Sequence, residues 1–381
     1  MSKPPEIPID LQAFSEDPYP IYKHLRAQAP IAFVPQLDAY LFTRREDITV
    51  YEKRVDLLSS EQPGGLMNRL MGLNMMRKDG EAHLIERKGI FPTISPRTTR
   101  DIWTSAFRSQ AQSLLKQIAP QKEGDLMQSF AAPLSGEALK IITGLTHVSA
   151  SDIDRWSQAM IDGIANYDGD PDIEATCKGA VQEINEAVKS APQNETPTLI
   201  NTQTRAGFTP ETISANIRLA ISGGQNETRD AISGLTYALL THPEQHDLIK
   251  RGEKSYAQAF DAFVRWMAPI GMSPRRITQD FEVNGLTLPK DGRAFLMFAS
   301  ANRDEKTFSN PDHFDLTQDA SRHISFGAGP HFCAGAAISK AIVAEVALPL
   351  LFETLPSVQL SQDVSFRGWA FRGPDAIFCH W

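Results

Sequence analysis

The chain has 381 residues, with 38 Lys and Arg against 46 Asp and Glu for a formal charge of −8, and it is 41% hydrophobic and 22% charged. This is globular composition, and it excludes a disordered, collagenous or coiled-coil chain. An acidic balance without a Lys/Arg run also excludes a phosphate-backbone partner, so no nucleic acid is expected.

A helix is predicted over Asp17 to Gln28, and Ile31 to Val34 and Tyr40 to Thr43 read as short strands parted by Pro35 and a turn. Helical patterning then dominates, broken by loops such as Glu61 to Gly65, where Gln62-Pro63-Gly64-Gly65 permits no regular element. Thr209 as N-cap and Pro210 in the first turn open a helix predicted to run unbroken to His242-Pro243, about 48 Å at 1.5 Å per residue. Phe281 to Val283, Asn284-Gly285 and Leu286 to Leu288 spell a hairpin, followed by an apolar run at Ala294 to Phe298. Helix returns over Ala336 to Leu348, and a short strand is expected around Ile377 to Trp381. The sum is mainly α with small β-sheets. No Gly/Ser linker, low-complexity tract or repeat divides it, so one large domain over residues 1–381 is expected.

No apolar run reaches the roughly 18 to 20 residues of a membrane span, and the start of the chain lacks a signal-peptide pattern, so a soluble cytoplasmic protein with no membrane partner is expected. Cys177, Cys333 and Cys379 are odd in number and far apart, which argues against a disulfide framework.

On the long helix, Ile213, Ile217, Ala220, Gly224, Ala231 and Leu235 form one apolar stripe. Glu227 falls inside it, where an ionised carboxylate needs a partner or a raised pKa. Gly223-Gly224 beside it costs roughly 1 kcal/mol per glycine in a helix interior, a cost offset if the bare backbone makes room for a flat ligand. Two readings stand: an acid paired with an arginine in the core, or a carboxylate aimed into a ligand cavity for proton transfer.

Residues 323 to 335 run His-Ile-Ser-Phe-Gly-Ala-Gly-Pro-His-Phe-Cys-Ala-Gly, with an amphipathic helix following. A glycine-rich turn points backbone N–H groups at a sulfur, and the next helix start favours negative charge, so Cys333 is expected as a thiolate able to ligate iron. Zinc lacks a second ligand pair at suitable spacing, a Cys-His hydrolase would take its base from His83, His323 or His331, and a buried inert thiol is the reading for Cys177 and Cys379.

The run from Phe326 to Gly335 resembles the haem-binding signature of the cytochrome P450 haem-thiolate monooxygenases of the soluble bacterial type. The resemblance implies that family's fold, with haem b (iron protoporphyrin IX) ligated by Cys333 and surrounded by Phe326, His331 and Gly335. It implies His83 and Arg87, in a His-x-x-x-Arg pattern, together with Arg276 and His323, as partners of the haem propionates. It also implies O2 as co-substrate and electrons from NAD(P)H, delivered by a separate ferredoxin or flavodoxin-type donor with its reductase, because 381 residues leave no room for fused redox domains. Arg77, Lys78, Lys88, Arg322 and Lys340 are the expected basic docking patch for such a donor.

Two positions depart from the family pattern. Where the family carries an acid followed by an alcohol for proton relay, this chain has Asn226 and Glu227; both are assigned to proton delivery, with Glu227 acting through a raised pKa. Where the family carries Glu-x-x-Arg, Arg265 is preceded by Ala262, so another acid must serve or the site is rearranged. The Gln225-Asn226-Glu227-Thr228 run and the tail Gly368 to Pro374 are similar to the guaiacol O-demethylase branch, which implies hydroxylation or O-dealkylation of a small hydrophobic substrate, methoxylated aromatics included. Leu66, Met67, Leu70, Met71, Ala220, Gly224, Ile270, Met272 and Phe371 are the candidate pocket residues. The rival readings are a peroxide-driven peroxygenase using Glu227 as acid and base, and a non-catalytic haem or ligand-binding protein.

Overall fold

The computed structural model describes residues 2–166 and 168–381. The chain divides into two compact units, each assembled from separated segments.

The first unit comprises Met1–Glu61, Ser233–Cys333 and Asp363–Ile377. Its centre is a five-stranded sheet in the order Ile31–Val34, Ala39–Phe42, Arg293–Leu296, Ser273–Ile277, Leu58–Ser59. The first pair is an antiparallel hairpin with Ile31 opposite Phe42, whereas Ala39–Phe42 runs parallel to Arg293–Leu296 with Tyr40 opposite Ala294. Period-two alternation puts Ile31, Phe42, Ala294 and Leu296 into one apolar core and Val34, Leu41, Phe295 and Met297 into another, so both faces of the sheet are covered. The predicted hairpin forms over Phe281–Val283 and Leu286–Leu288, with Asn284 and Gly285 at φ 52° and 77°, the paired left-handed residues that a two-residue turn of this twist requires. Tyr19–Gln28 lies within its predicted bounds, and Leu11–Glu16, capped by Asp10, is a helix that the sequence reading left out.

The second unit comprises Gln62–Ile232, Ala334–Gln362 and Phe378–Trp381, and is mainly helical. Helices Thr104–Ile118, Ala132–Thr143, Ala150–Ala165 and Pro171–Ser190 bury Phe107, Leu134, Trp156, Met160 and Ile184 in its core. The predicted strand at the end of the chain is Phe378–His380, the centre of a three-stranded antiparallel sheet with Glu123–Asp125 and Gln359–Leu360. Among the described residues no helix is long and apolar enough to cross a membrane.

The long helix is corrected by the structure. It forms as two helices, Pro210–Ser222 and Gln225–Thr241, broken at Gly223-Gly224. The Gly224 N–H reaches back only three residues, to Ile221 O at 3.4 Å, and a Cβ at Gly224 would lie 2.6 Å from Ala220 O. The backbone tightens there and no side chain fits, so the glycine is required by the break itself.

Candidate functional site

In the first unit the residues before Cys333 form an open loop ending at that cysteine. Of the three cysteines, Cys333 alone is exposed; Cys177 and Cys379 are buried, and burial raises both thiols, Cys379 to about 12. The loop is closed by its own backbone, with the Cys333 N–H donating to Phe326 O at 2.8 Å, Gly327 N–H to Ile324 O at 2.9 Å and Phe332 N–H to Gly329 O at 3.0 Å. The Ala328 N–H donates to the buried Glu52 carboxylate at 2.6 Å. These four donors hold the loop to itself and to Glu52. Gly327, at φ 84°, and Gly329 are needed because a Cβ on either would fall within 3 Å of Glu52.

Phe326 stacks on Phe260 at 6.1 Å and flanks His323 at 5.8 Å. The Ser325 N–H donates to Nδ1 of His323 at 3.2 Å, leaving Nε2 to carry the ring proton, 4.0 Å from Oδ1 of Asp261. Asp261, one position from where the family acid was expected, thus serves His323. His331 is partly buried in the same loop.

Arg276 does not occupy the place expected of it. Strand Ser273–Ile277 turns alternate residues inward, so Arg275 is buried with Ile277 while Arg276 faces outward, bound to Asp291 at 3.2 Å and to Glu61 O at 3.2 Å. The inward cation is Arg275, with Nη2 3.7 Å from Glu52 Oε1. Period-two patterning of Ser-Pro-Arg-Arg-Ile carried the signal that separates the two arginines.

Arg265 settles the question posed by Ala262. Its buried guanidinium donates to Pro311 O at 2.7 Å, His313 O at 2.6 Å and Asn302 O at 3.4 Å, so main-chain carbonyls replace the missing carboxylate. Burial lowers its pKa to about 10, with Arg303 adding to the effect and Asp315 and Asp312 opposing it. Of the pocket candidates in this unit, Ile270 packs against the Phe42 core and Met272 against the Phe14 core, while Phe371 is exposed and bridges to Ile270.

In the second unit the helix break displays Asn226 and Glu227. Asn226 is buried, and its Oδ1 and Glu227 Oε2 have no hydrogen-bond partner among the described residues. Burial pushes the Glu227 carboxyl up to about 7, and Asp230 one turn on adds to the rise while Arg229 opposes it. Asp230 is itself buried and raised to about 6, paired to Arg229 at 2.8 Å. Gln225 anchors this turn by donating to Asp154 at 2.8 Å and to Ala132 O at 3.2 Å.

His83 and Arg87 lie one turn apart on Gly80–Ile94, His83 buried and Arg87 partly exposed. Their helix is held by a polar cluster absent from the sequence reading: Asn216 donates to Glu86 at 2.8 Å and to Gln203 at 2.9 Å, while its own carbonyl accepts the Met75 N–H at 2.9 Å. Lys78 also pairs with Glu86, and Arg77 is buried, so neither contributes a free surface cation to the expected docking patch. Met67, Leu70 and Met71 are buried on helix Leu66–Met71, with Leu66 and Ala220 partly exposed. A Cβ at Gly224 would also lie 3.1 Å from Leu139, so the glycine lets a neighbouring helix approach closely there. Gly335 caps helix Ala336–Lys340, its carbonyl accepting the Ser339 N–H at 2.8 Å.

This donor set fits a haem better than a zinc ion. Among the described residues no group of three or more His, Cys, Asp or Glu is arranged to hold a metal, which leaves one accessible thiol as donor, as a metal already held by a macrocycle requires. The orphaned Glu227 and Asn226 oxygens are polar atoms suited to a bound partner.

The family profile described as Cytochrome P450 matches residues 264–354, which include Arg265, His323 and Cys333. The chain is similar to the linalool 8-monooxygenase of Pseudomonas putida, at 27% identity over 89% of this chain and 88% of that one. It is similar to the biotin biosynthesis cytochrome P450 of Bacillus subtilis, at 25% identity over 91% of each. In fold it resembles the crystal structure of P450BioI complexed with an acyl carrier protein bearing hexadec-9Z-enoic acid, with a TM-score of 0.87 at 24% identity, covering 97% of this chain and all of that one.

Proposed function

We propose that the chain is a cytochrome P450 haem-thiolate oxidoreductase acting as a terminal monooxygenase on a small hydrophobic substrate, hydroxylating it or removing an O-alkyl group. The Cys333 thiolate would hold haem b, which would supply the oxidising chemistry with O2. Electrons come from NAD(P)H through a ferredoxin or flavodoxin-type donor and its reductase. His83, Arg87 and His323 are assigned to the propionates, together with Arg275 in place of Arg276, since Arg275 is the cation on the buried face of its strand.

Glu227 holds and passes a proton at Oε2. A carboxyl that titrates near neutrality exchanges protons in both directions at physiological pH, which the lost alcohol would otherwise have served. Asn226, whose Oδ1 has no hydrogen-bond partner among the described residues, would hold a water beside Glu227.

The observation that carries this reading is the single accessible thiol of Cys333 at the end of its glycine-rich loop. The test is the absorption spectrum of the purified protein with reductant and carbon monoxide. The wild type is expected to give the thiolate-ligated band and Cys333→Ser to lose it; a wild-type protein without a haem band overturns the proposal. Titration of the ferric protein with methoxyarenes, terpenes and fatty acids then selects the substrate class.

The raised Glu227 carboxyl also favours a second reading, in which Glu227 acts as acid and base toward hydrogen peroxide without a reductase.

A further inference from the structure

Arg218 lies on helix Pro210–Ser222, buried to 8% exposure, in the unit that also holds helix Leu66–Met71. Its Nη1 donates to the amide oxygen of Asn185 at 2.8 Å. Its Nε is buried with no acceptor, and among the described residues no carboxylate pairs with this guanidinium. Glu174, an acid of the same unit, is occupied by Arg69 at 3.0 Å and Lys178 at 2.7 Å. Gly72, directly after Leu66–Met71, lies against Nη2: a Cβ there would be 3.2 Å from it, and the positive φ of 78° keeps the position to glycine.

The guanidinium is thus used at one corner only. Nε and Nη2 form the side-on fork, two parallel N–H donors whose spacing matches the two oxygens of a carboxylate. A buried cation facing a neutral amide carries a desolvation cost that a hydrocarbon side chain would avoid, so its presence calls for a charge to meet. Met67 and Leu70 on the neighbouring helix each keep a small accessible face and supply apolar surface for the body of such a ligand.

We propose that Arg218 is the anchor for the carboxylate of the substrate, and that the substrate class is a small apolar acid rather than a neutral arene. The proposal rests on the monooxygenase reading and narrows its substrate. Asn185 is the positioning residue that fixes the guanidinium plane, and Gly72 places no side chain against Nη2.

The test compares a methoxybenzoate with the corresponding methoxybenzamide, which has the same shape without the charge, on the purified haem-loaded protein. Dissociation constants are measured by ligand-induced absorption change and by equilibrium dialysis, for the wild type, Arg218→Met and Arg218→Lys. The wild type is expected to bind the acid at least about tenfold more tightly than the amide. Arg218→Met is expected to remove that preference while leaving amide binding within about threefold and the thermal midpoint unchanged or raised, because an unmatched buried charge has gone. Arg218→Lys keeps the charge without the fork and is expected to fall between them.

Equal binding of acid and amide by the wild type overturns the proposal without any variant. So does an Arg218→Met protein that keeps the preference, or one that loses both ligands with a lowered midpoint, which would mark a structural role. A normal reduced carbon monoxide spectrum in these samples separates such a failure from failure of the monooxygenase reading.

Discussion

The Glu52 carboxylate accepts the Ala328 N–H at 2.6 Å, tying the helical end near residue 50 to the glycine-rich loop that leads into Cys333. Glu52 is 1% exposed, and burial raises its pKa while Arg275 and the Ala328 N–H oppose the rise. The loop is held to a buried anion that also meets Arg275. Glu52→Leu is expected to destabilise the protein by about 3 kcal/mol, since it removes a charge-assisted hydrogen bond and the anion facing a buried cation. Glu52→Gln, which keeps an acceptor, is expected to cost less. Urea unfolding measures both, and a Glu52→Leu protein as stable as wild type would show the brace to be dispensable.

Glu227 gives stability a pH dependence of defined sign. Its carboxyl titrates at about 7 in the folded protein against 4.5 for a free glutamate, so between these values the folded chain keeps a proton that the unfolded chain has released. Its contribution is full below pH 4.5, is lost as pH rises to about 7 and is constant above. Glu227→Gln therefore gains on wild type across that window by on the order of 3 kcal/mol, and denaturant unfolding at pH 4.5, 6 and 8 checks it.

The same residue separates the two catalytic readings. If Glu227 serves peroxide, Glu227→Thr abolishes peroxide-driven turnover and leaves or improves reductase-driven turnover. Unchanged peroxide turnover removes the peroxygenase reading. Loss of reductase-driven turnover alone assigns Glu227 to the proton relay of the monooxygenase.

Arg265 needs its carbonyls more than it needs an acid. Arg265→Met leaves Pro311 O and His313 O without the donor each now has and is expected to cost roughly 3 to 5 kcal/mol. Ala262 is 1% exposed, so Ala262→Glu, which restores the family pattern, is expected to destabilise through overpacking and a second buried charge. A stabilised Ala262→Glu protein would contradict the carbonyl account; thermal midpoints of both variants decide.

Thiol chemistry should follow burial. In the haem-free form an alkylating reagent is expected to label Cys333 alone, with Cys177 and Cys379 reacting only after denaturation, because burial raises both of those thiols and removes them from solvent. Mass mapping of the labelled peptides reads this directly.

The sequence by itself determined whatever is encoded within a few neighbouring residues: the Asn284-Gly285 hairpin, the Cys333 loop, the two strands before residue 43, and the misplaced acid at Glu227. Each depends on backbone preferences or a period that adjacent side chains set. What the tertiary structure alone decided concerns partners far apart in the chain. The Glu52 and Ala328 contact spans 276 residues, the Arg265 and His313 contact spans 48, and Asn216 meets Glu86 across 130. Arg275 and Arg276 are chemically equal; period two puts Arg275 on the face of Ile277, and the pairing of their strand in the sheet buries that face. Gly223-Gly224 read as room for a flat ligand on an unbroken helix, and the break there was decided by the Ala220 carbonyl in place. A buried charge is answered by whichever group the fold brings to it, carbonyl, carboxylate or ligand, and that choice is made by packing rather than by the order of residues.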